Sequence, residues 1–275
     1  LISLFLASFA TFLSFKYYKY PYFRILILSL KTFLKYLLQR ALGFDRYLFV
    51  FSIFKIYTLK WDKNENHFFY FLKLLPQEGA FIDIGANIGI MTASAARKFP
   101  KLKVHAFEPV ASNASALNRI INYFKLSNVT IHQVALGNEN GNIKMVMPIQ
   151  NKVKFQGLSH VVHDSITENN EGEIYEVPIY RLDDFEPIKN ISQKIVGIKM
   201  DVENFESFVV KGGLNIIKKH QPILYIELWD NENRTSCFSD LATLGYLPYT
   251  IEGEQLMIFD AKKHHNHNFF FLPKK

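Results

Sequence analysis

The chain has 275 residues, 49% of them hydrophobic and 21% charged, which suits one domain of about 200 residues with an extension and excludes disorder along its whole length. Its single cysteine, Cys237, excludes an internal disulfide or a multi-cysteine metal site, suits a reducing compartment, and is expected to be a small buried hydrophobe. Of the net charge of +7, six units (Lys16, Lys19, Arg24, Lys31, Lys35 and Arg40) lie in residues 1–44, which hold no Asp or Glu. Residues 45–275 are therefore nearly neutral, and no basic face for nucleic acid is expected.

Leu1 to Phe15 is an uncharged run rich in Leu, Phe, Ile and Ala, followed by a basic, aromatic stretch from Lys16 to Arg24. As a helix it would reach about 22 Å, short of the roughly 20 residues a membrane span needs. Ile25 to Leu42 then reads as an amphipathic helix, with Arg24, Lys31 and Lys35 on one face and Gly43 as its stop signal. Three readings stand for residues 1–44: a membrane anchor, a cleaved secretory signal, or apolar helices packed on the domain or on a second subunit. The uncharged run followed by basic residues favours the anchor and a domain on the cytoplasmic side. No small-x-small cleavage site precedes Lys16.

From about residue 78 short apolar runs alternate with helical segments, the mark of βα units and a mostly parallel sheet. Strands are expected at Ala80 to Ile84, Lys103 to Phe107, Val129 to Val134, Ile195 to Met200, Pro222 to Leu228, Tyr246 to Ile251 and Gln255 to Phe259. The last two flank Glu252-Gly253-Glu254, so the sheet is expected to finish on an antiparallel hairpin. A long connection, Ala135 to Lys194, carries further strand-like pieces at Ile143 to Met147 and Ile174 to Tyr180. Long connections of this kind hold specificity determinants.

The chemistry concentrates in F-I-D-I-G-A-N-I-G-I, residues 81–90: an apolar strand ending in Asp83, then Gly85, Asn87 and Gly89, then a helix. A strand entering a glycine turn and a helix leaves backbone N–H groups facing a ligand and lets the backbone approach it closely. A dinucleotide fingerprint would need glycine where Asn87 and Ile90 stand, which disfavours a nicotinamide-dependent oxidoreductase. The next strand ends on Glu108, an acceptor-only carboxylate twenty-five residues after Asp83, suited to ribose hydroxyls.

With these residues, V-A-L-G-N at 134–138, R-L-D-D-F at 181–185, I-K-M-D-V-E-N-F-E at 198–206, V-V-K-G-G at 209–213 and P-I-L-Y-I-E-L at 222–228, the chain resembles the FkbM family of S-adenosylmethionine-dependent methyltransferases. The resemblance implies an α/β class I methyltransferase fold, Rossmann-like, with a seven-stranded mostly parallel sheet of order 3-2-1-4-5-7-6, helices on both faces and strand 7 antiparallel. It implies S-adenosylmethionine as cofactor, with Gly85, Asn87 and Gly89 at the methionine end, Asp83 supporting that end, Glu108 on the ribose, and Asn113 and Ala135 near the ribose and adenine. Asn204 departs from the family's usual glycine; asparagine tolerates the left-handed backbone such a turn needs.

An acceptor hydroxyl must be held in line, away from water and beside a base. Asp201, Glu203 and Glu227, at strand carboxyl ends, and His160 in the insertion are the catalytic candidates, with His163 as a second imidazole. Glu203 and Glu206 also read as a solvated helix start, and Asp183 and Asp184 as caps. The histidines at 264–267 read as part of a solvated tail, and no metal is expected. The expected organisation is an apolar, basic helical segment at 1–44, a connector at 45–77, the methyltransferase-like domain at 78–262 and a polar tail at 263–275. The expected acceptor is a hydroxyl on a glycan, glycolipid or secondary metabolite; a membrane surface and a homo-oligomer remain possible partners. A catalytically degenerate scaffold remains the rival.

Overall fold

A computed structural model describes residues 21–62, 65–253 and 255–274. Helices α1 (Pro21–Leu42), α2 (Phe44–Thr58) and α3 (Asn66–Leu74) precede the first strand. Then follow β1 (Gly79–Ile84), α4 (Ile90–Lys98), β2 (Leu102–Phe107), α5 (Ala111–Phe124) and β3 (Val129–His132). The insertion contributes β4 (Ala135–Leu136), β5 (Gly141–Gln150), β6 (Val153–Lys154), β7 (His160–Val161) and β8 (Gly172–Tyr180), and a short helix α6 (Glu186–Lys189) leads out of it. The second half runs β9 (Ile195–Met200), α7 (Glu206–Gly212), α8 (Leu214–His220), β10 (Ile223–Glu227), α9 (Glu232–Thr243), β11 (Tyr246–Glu252), β12 (Gln255–Ile258) and β13 (Asn268–Pro273).

The main sheet has eight strands in the order β12-β11-β13-β10-β9-β1-β2-β3. From β3 to β10 the neighbours pair in parallel, while β13 pairs antiparallel with both β10 and β11. Without edge strand β12 this is the expected 3-2-1-4-5-7-6 order, but the antiparallel strand 7 is Asn268–Pro273, inside the segment read as a polar tail. Gln255–Ile258, expected to close the sheet, lies outside it as an eighth strand. The reason is burial: Phe269, Phe270 and Phe271 form a continuous apolar run that suits a strand covered on both faces, and each is at most 1% exposed. Met257 and Ile258 at the edge are half exposed.

One face of the sheet packs Phe81, Tyr225 and Phe270 against Phe68 and Phe71 of α3, Ala93 and Ala96 of α4 and Ile120 of α5. The other packs Ile198, Leu224, Phe269 and Phe271 against Val210 of α7, Ile217 of α8, Cys237 and Leu241 of α9 and the insertion's Met147 and Ile179. Cys237 is the buried hydrophobe expected of it. Residues 45–77 are thus no connector, since α3 supplies the aromatic cover of one sheet face.

The expectation of a span at Leu1 to Phe15 lies outside the described residues. Among the described residues no helix is long and apolar enough to cross a membrane. Helix α1 turns part of its basic face inward: Lys35 Nζ lies 4.2 Å from the centre of the Phe155 ring, and Gln39 exchanges hydrogen bonds with the Lys154 carbonyl and N–H at 2.9 and 3.1 Å. Burial lowers the Lys35 pKa to about 8. Its solvent side carries Leu30, Phe33 and Leu37.

Phe270→Ala is expected to destabilise the protein by about 3–5 kcal/mol through lost burial and a residual cavity, read as a lower urea midpoint. An unchanged midpoint would return residues 268–273 to the status of a tail.

Candidate active site

Strand β1 delivers Asp83 and Ile84 to its carboxyl end, and the chain turns at Gly85. The turn is anchored by Gly85 N–H and Ala86 N–H donating to the Phe107 carbonyl at 3.1 and 2.9 Å. Gly85 has φ +75°, and a Cβ there would lie 1.9 Å from the Asp201 carbonyl oxygen; Gly89 has φ +83° and faces Leu117. Gly85 is required for conformation and for space, and Gly89 for its conformation. Asp83 is fully buried and accepts from Thr92 Oγ1 at 2.5 Å.

At the centre stands a residue absent from the sequence candidates. Lys199, 3% exposed, donates from Nζ to the Gly85 carbonyl at 2.9 Å and lies 3.4 Å from Asp83 Oδ1 and 3.6 Å from Asp201 Oδ2. Burial opposes its charge, but Asp83 and Asp201 outweigh burial and hold its pKa above the ordinary value. A lysine inside the apolar run I-V-G-I-K-M was the available signal, because a charge in a strand covered on both faces needs a partner.

Glu108 ends β2 and ties the glycine turn to the next helix. Its Oε2 accepts from Asn87 N–H at 2.8 Å, and its Oε1 accepts from Val110 N–H at 2.9 Å and Asn113 Nδ2 at 3.3 Å. Burial pushes its pKa up to about 7 against these three bonds. A carboxylate has about four acceptor positions, so one remains for a ligand.

These groups wall a cleft also lined by Phe107, Ala135, Gln156, Ser159, Asp201 and Glu203. Asn87 Oδ1, Asn113 Oδ1, Gln156 Oε1 and Ser159 Oγ, all on residues lining it, are buried without a hydrogen-bond partner. Such groups are costly to leave unmet. Three of them are amide oxygens that call for donors, as ribose hydroxyls and an adenine amine provide, beside the apolar surface of Phe107, Val134 and Ala135. An adenosyl cofactor therefore fits the donor set. Gln156, Gly157 and Ser159 of the insertion line one side of the cleft.

Of the expected cofactor residues, Gly85, Asn87, Glu108, Asn113 and Ala135 line the cleft, while Asp83 and Gly89 shape it from behind. Asp201 and Glu203 line it; Glu227 lies in an adjoining cavity. His160 is not brought to the cleft: Ser159 and Val161 face it, and strand alternation turns His160 away. The His160 ring lies 2.8 Å from the Leu158 carbonyl and 3.0 Å from Asn170 Oδ1, a structural role. Its neighbour His163 pairs with Ser165. Glu206, read as part of a solvated helix start, is 2% exposed and accepts from Val202 N–H and Asn233 Nδ2. Asp183 caps α8 rather than the next turn, accepting from Asn215 and Ile216 N–H. His267 is no solvated tail residue: its ring lies 4.3 Å from that of Trp229. Asn204 holds φ +71°, as the turn requires, and accepts from Asn231 Nδ2.

The sequence profile of the methyltransferase FkbM domain matches residues 83–258, more than half of the chain. The chain belongs to this family. S-adenosylmethionine is the cofactor that membership implies, in agreement with the donor set of the cleft. Among curated proteins it is similar to Methyltransferase 1 of Beauveria bassiana (strain ARSEF 2860), 28% identical over 151 residues, covering 50% of this chain and 59% of that protein. It is also similar to Methyltransferase sdnD of Sordaria araneosa, 27% identical over 181 residues, covering 57% of this chain and 68% of that one. The chain thus spans three-fifths to two-thirds of these relatives. Among solved structures, the methyltransferase FkbM from Methylobacillus flagellatus KT superposes with a TM-score of 0.48 at 16% identity, over 71% of this chain and 44% of that one.

Lys199→Met is expected to cost about 3–5 kcal/mol, because it leaves the Asp83 carboxylate buried without its cation; urea denaturation measures it. A second expectation concerns pH. Burial first, and then for two of them neighbouring carboxylates, pushes Glu108, Glu206 and Glu227 up to about 7 and Glu203 to about 8, from an ordinary value near 4.5. Above pH 4.5 the folded state keeps protons that the unfolded chain has released, so stability from these groups falls as pH rises through 7 to 8. The cofactor-free protein should show a higher urea midpoint at pH 5.5 than at pH 8.5, and Glu203→Gln should flatten that slope.

Proposed function

We propose that the protein is an S-adenosylmethionine-dependent methyltransferase acting on a hydroxyl of a glycan, glycolipid or secondary metabolite. The observation that carries the reading is the set of buried, unpartnered acceptors on residues lining the cleft of an FkbM-type domain. The bound cofactor supplies an activated methyl group. Glu108 offers its remaining acceptor position to a ribose hydroxyl, Asn113 and Asn87 add amide oxygens, and Ala135 and Phe107 line an apolar slot. The glycine turn lets backbone, rather than side chain, border the ligand.

Asp201 is the proposed base. Its carboxylate is held from one side by Lys199 at 3.6 Å, and its side chain is 35% exposed. It borders both the cofactor cleft and the cavity beyond. From there it can orient an acceptor hydroxyl and take its proton, a contribution of about 10²–10⁴ in rate. Glu203 lines the same cleft and Glu227 the adjoining cavity, and burial with neighbouring carboxylates raises their pKa values to about 8 and 7.

Isothermal titration should show S-adenosylhomocysteine binding by the intact chain, weakened at least tenfold by Asn113→Ala. Hydrogen exchange across residues 156–161 should slow on binding. Asp201→Asn should retain that binding and lose at least a hundredfold in transfer of labelled methyl from the cofactor to glycan, lipid and metabolite extracts. Absence of binding by the intact chain refutes the cofactor assignment, and undiminished transfer by the Asp201 variant refutes the base.

A further inference from the structure

A second cavity, of about 240 Å³, adjoins the cofactor cleft across Asp201, with Glu65, Lys199, Tyr225 and Glu227 among its lining residues. Three carboxyl groups thus share it with one ammonium, whose contacts are the Gly85 carbonyl, Asp83 and, of these three, Asp201 alone. The field this leaves is visible in the side chains themselves. Burial and then Asp201 raise the pKa of Glu227; burial, against Lys55, and then Asp62 and Asp201 raise that of Glu65.

An independent feature points to a ligand. Tyr225 is 4% exposed and lines the cavity. No hydrogen bond to its hydroxyl is present among the described residues, although Glu65, Glu227 and Asp201 all act on it electrostatically. The phenol is otherwise enclosed by protein, so its hydroxyl is left to pair with what the cavity holds. Two residues beyond Glu227 along the chain, outside the cavity lining, Trp229 is 44% exposed with its ring 4.3 Å from that of His267. Such an aromatic ring suits a sugar ring or an organic cation.

We propose that this cavity is the acceptor pocket and that the acceptor carries a protonated amino group beside the hydroxyl to be methylated, as an amino sugar does. The proposal rests on the methyltransferase reading above, because Asp201 is shared between cofactor cleft and cavity. The ammonium supplies a direct ion pair to Glu65 and Glu227, which feel Lys199, and Glu65 also Lys55, only through the field, in a setting where solvent screens it little. Neighbouring hydroxyls satisfy Tyr225 and Asp201. Among the described residues no three acidic, histidine or cysteine groups are arranged to hold a metal ion, which favours an extended organic cation over a point charge. The cofactor's own amino group is the other source of the same chemistry, and the experiment separates the two.

The test uses the full chain saturated with S-adenosylhomocysteine and titrated with D-glucosamine, N-acetyl-D-glucosamine and D-glucose, three sugars that differ at one position and in its charge. Glucosamine should bind at least tenfold more tightly than the other two. Glu65→Gln and Glu227→Gln, each checked for native circular dichroism, should each reduce that affinity at least fivefold. Equal binding of the three sugars, or binding of none by a chain that still binds S-adenosylhomocysteine, overturns the proposal. So does a tenfold loss of S-adenosylhomocysteine affinity in either variant, which would assign the cavity to the cofactor's amino group. If the wild-type chain fails to bind S-adenosylhomocysteine, the cofactor assignment fails instead.

Discussion

The ammonium of Lys199 is the point on which the site depends. It is buried at the carboxyl end of β9, within reach of the end of β1 through Asp83, of the glycine turn through the Gly85 carbonyl, and of the turn after β9 through Asp201. Taking an ammonium and a carboxylate out of water costs several kcal/mol for each ion, repaid only by close and multiple contacts. Three oxygen partners within 3.6 Å provide them, and they also hold two adjacent strand ends and the glycine turn in one arrangement. The same ammonium lies between the cofactor cleft and the acidic cavity, so it helps set the electrostatics of both.

Elements outside the family-matched segment complete that arrangement. Ser52 of α2 donates to the Ile88 carbonyl within the glycine turn. Gln39 and Lys35 of α1 hold Lys154 and Phe155, which lead directly into the cleft lining at Gln156. Helices α1 and α2 therefore act on the site through packing and hydrogen bonds to its frame, without lining the cofactor cleft. This accounts for Lys35, read from its helical period as part of a basic outer face: it turns inward because Phe155 offers it a ring, while Leu30, Phe33 and Leu37 remain outside.

Much of the frame could be read along the chain, because strands buried on both faces leave unbroken apolar runs and the turns that follow them carry glycine and acid at fixed places. Asp83, Glu108 and Asp201 were legible for that reason. His160 misled because its neighbours in the strand, not its own side chain, face the cleft. Glu206 misled because an acid at a helix start has the same local signature whether solvent or, as here, Val202 and Asn233 satisfy it. Lys199, Tyr225 and Glu65 were invisible as a group, since 26 residues separate Lys199 from Tyr225 and more than a hundred separate Glu65 from either.

The sequence by itself determined the parallel half of the sheet, the glycine turn and the carboxylates at its strand ends, because each is a short-range pattern enforced by backbone sterics or by burial period. Only the tertiary structure decided which late strand enters the sheet, which acids lose their water and which polar atoms are left without partners. Those outcomes depend on neighbours distant in sequence. The triple phenylalanine of β13 becomes a central strand once α3 and α9 cover its two faces, and the acidic cavity exists only because β9, β10 and the segment before α3 bring their charges to one place.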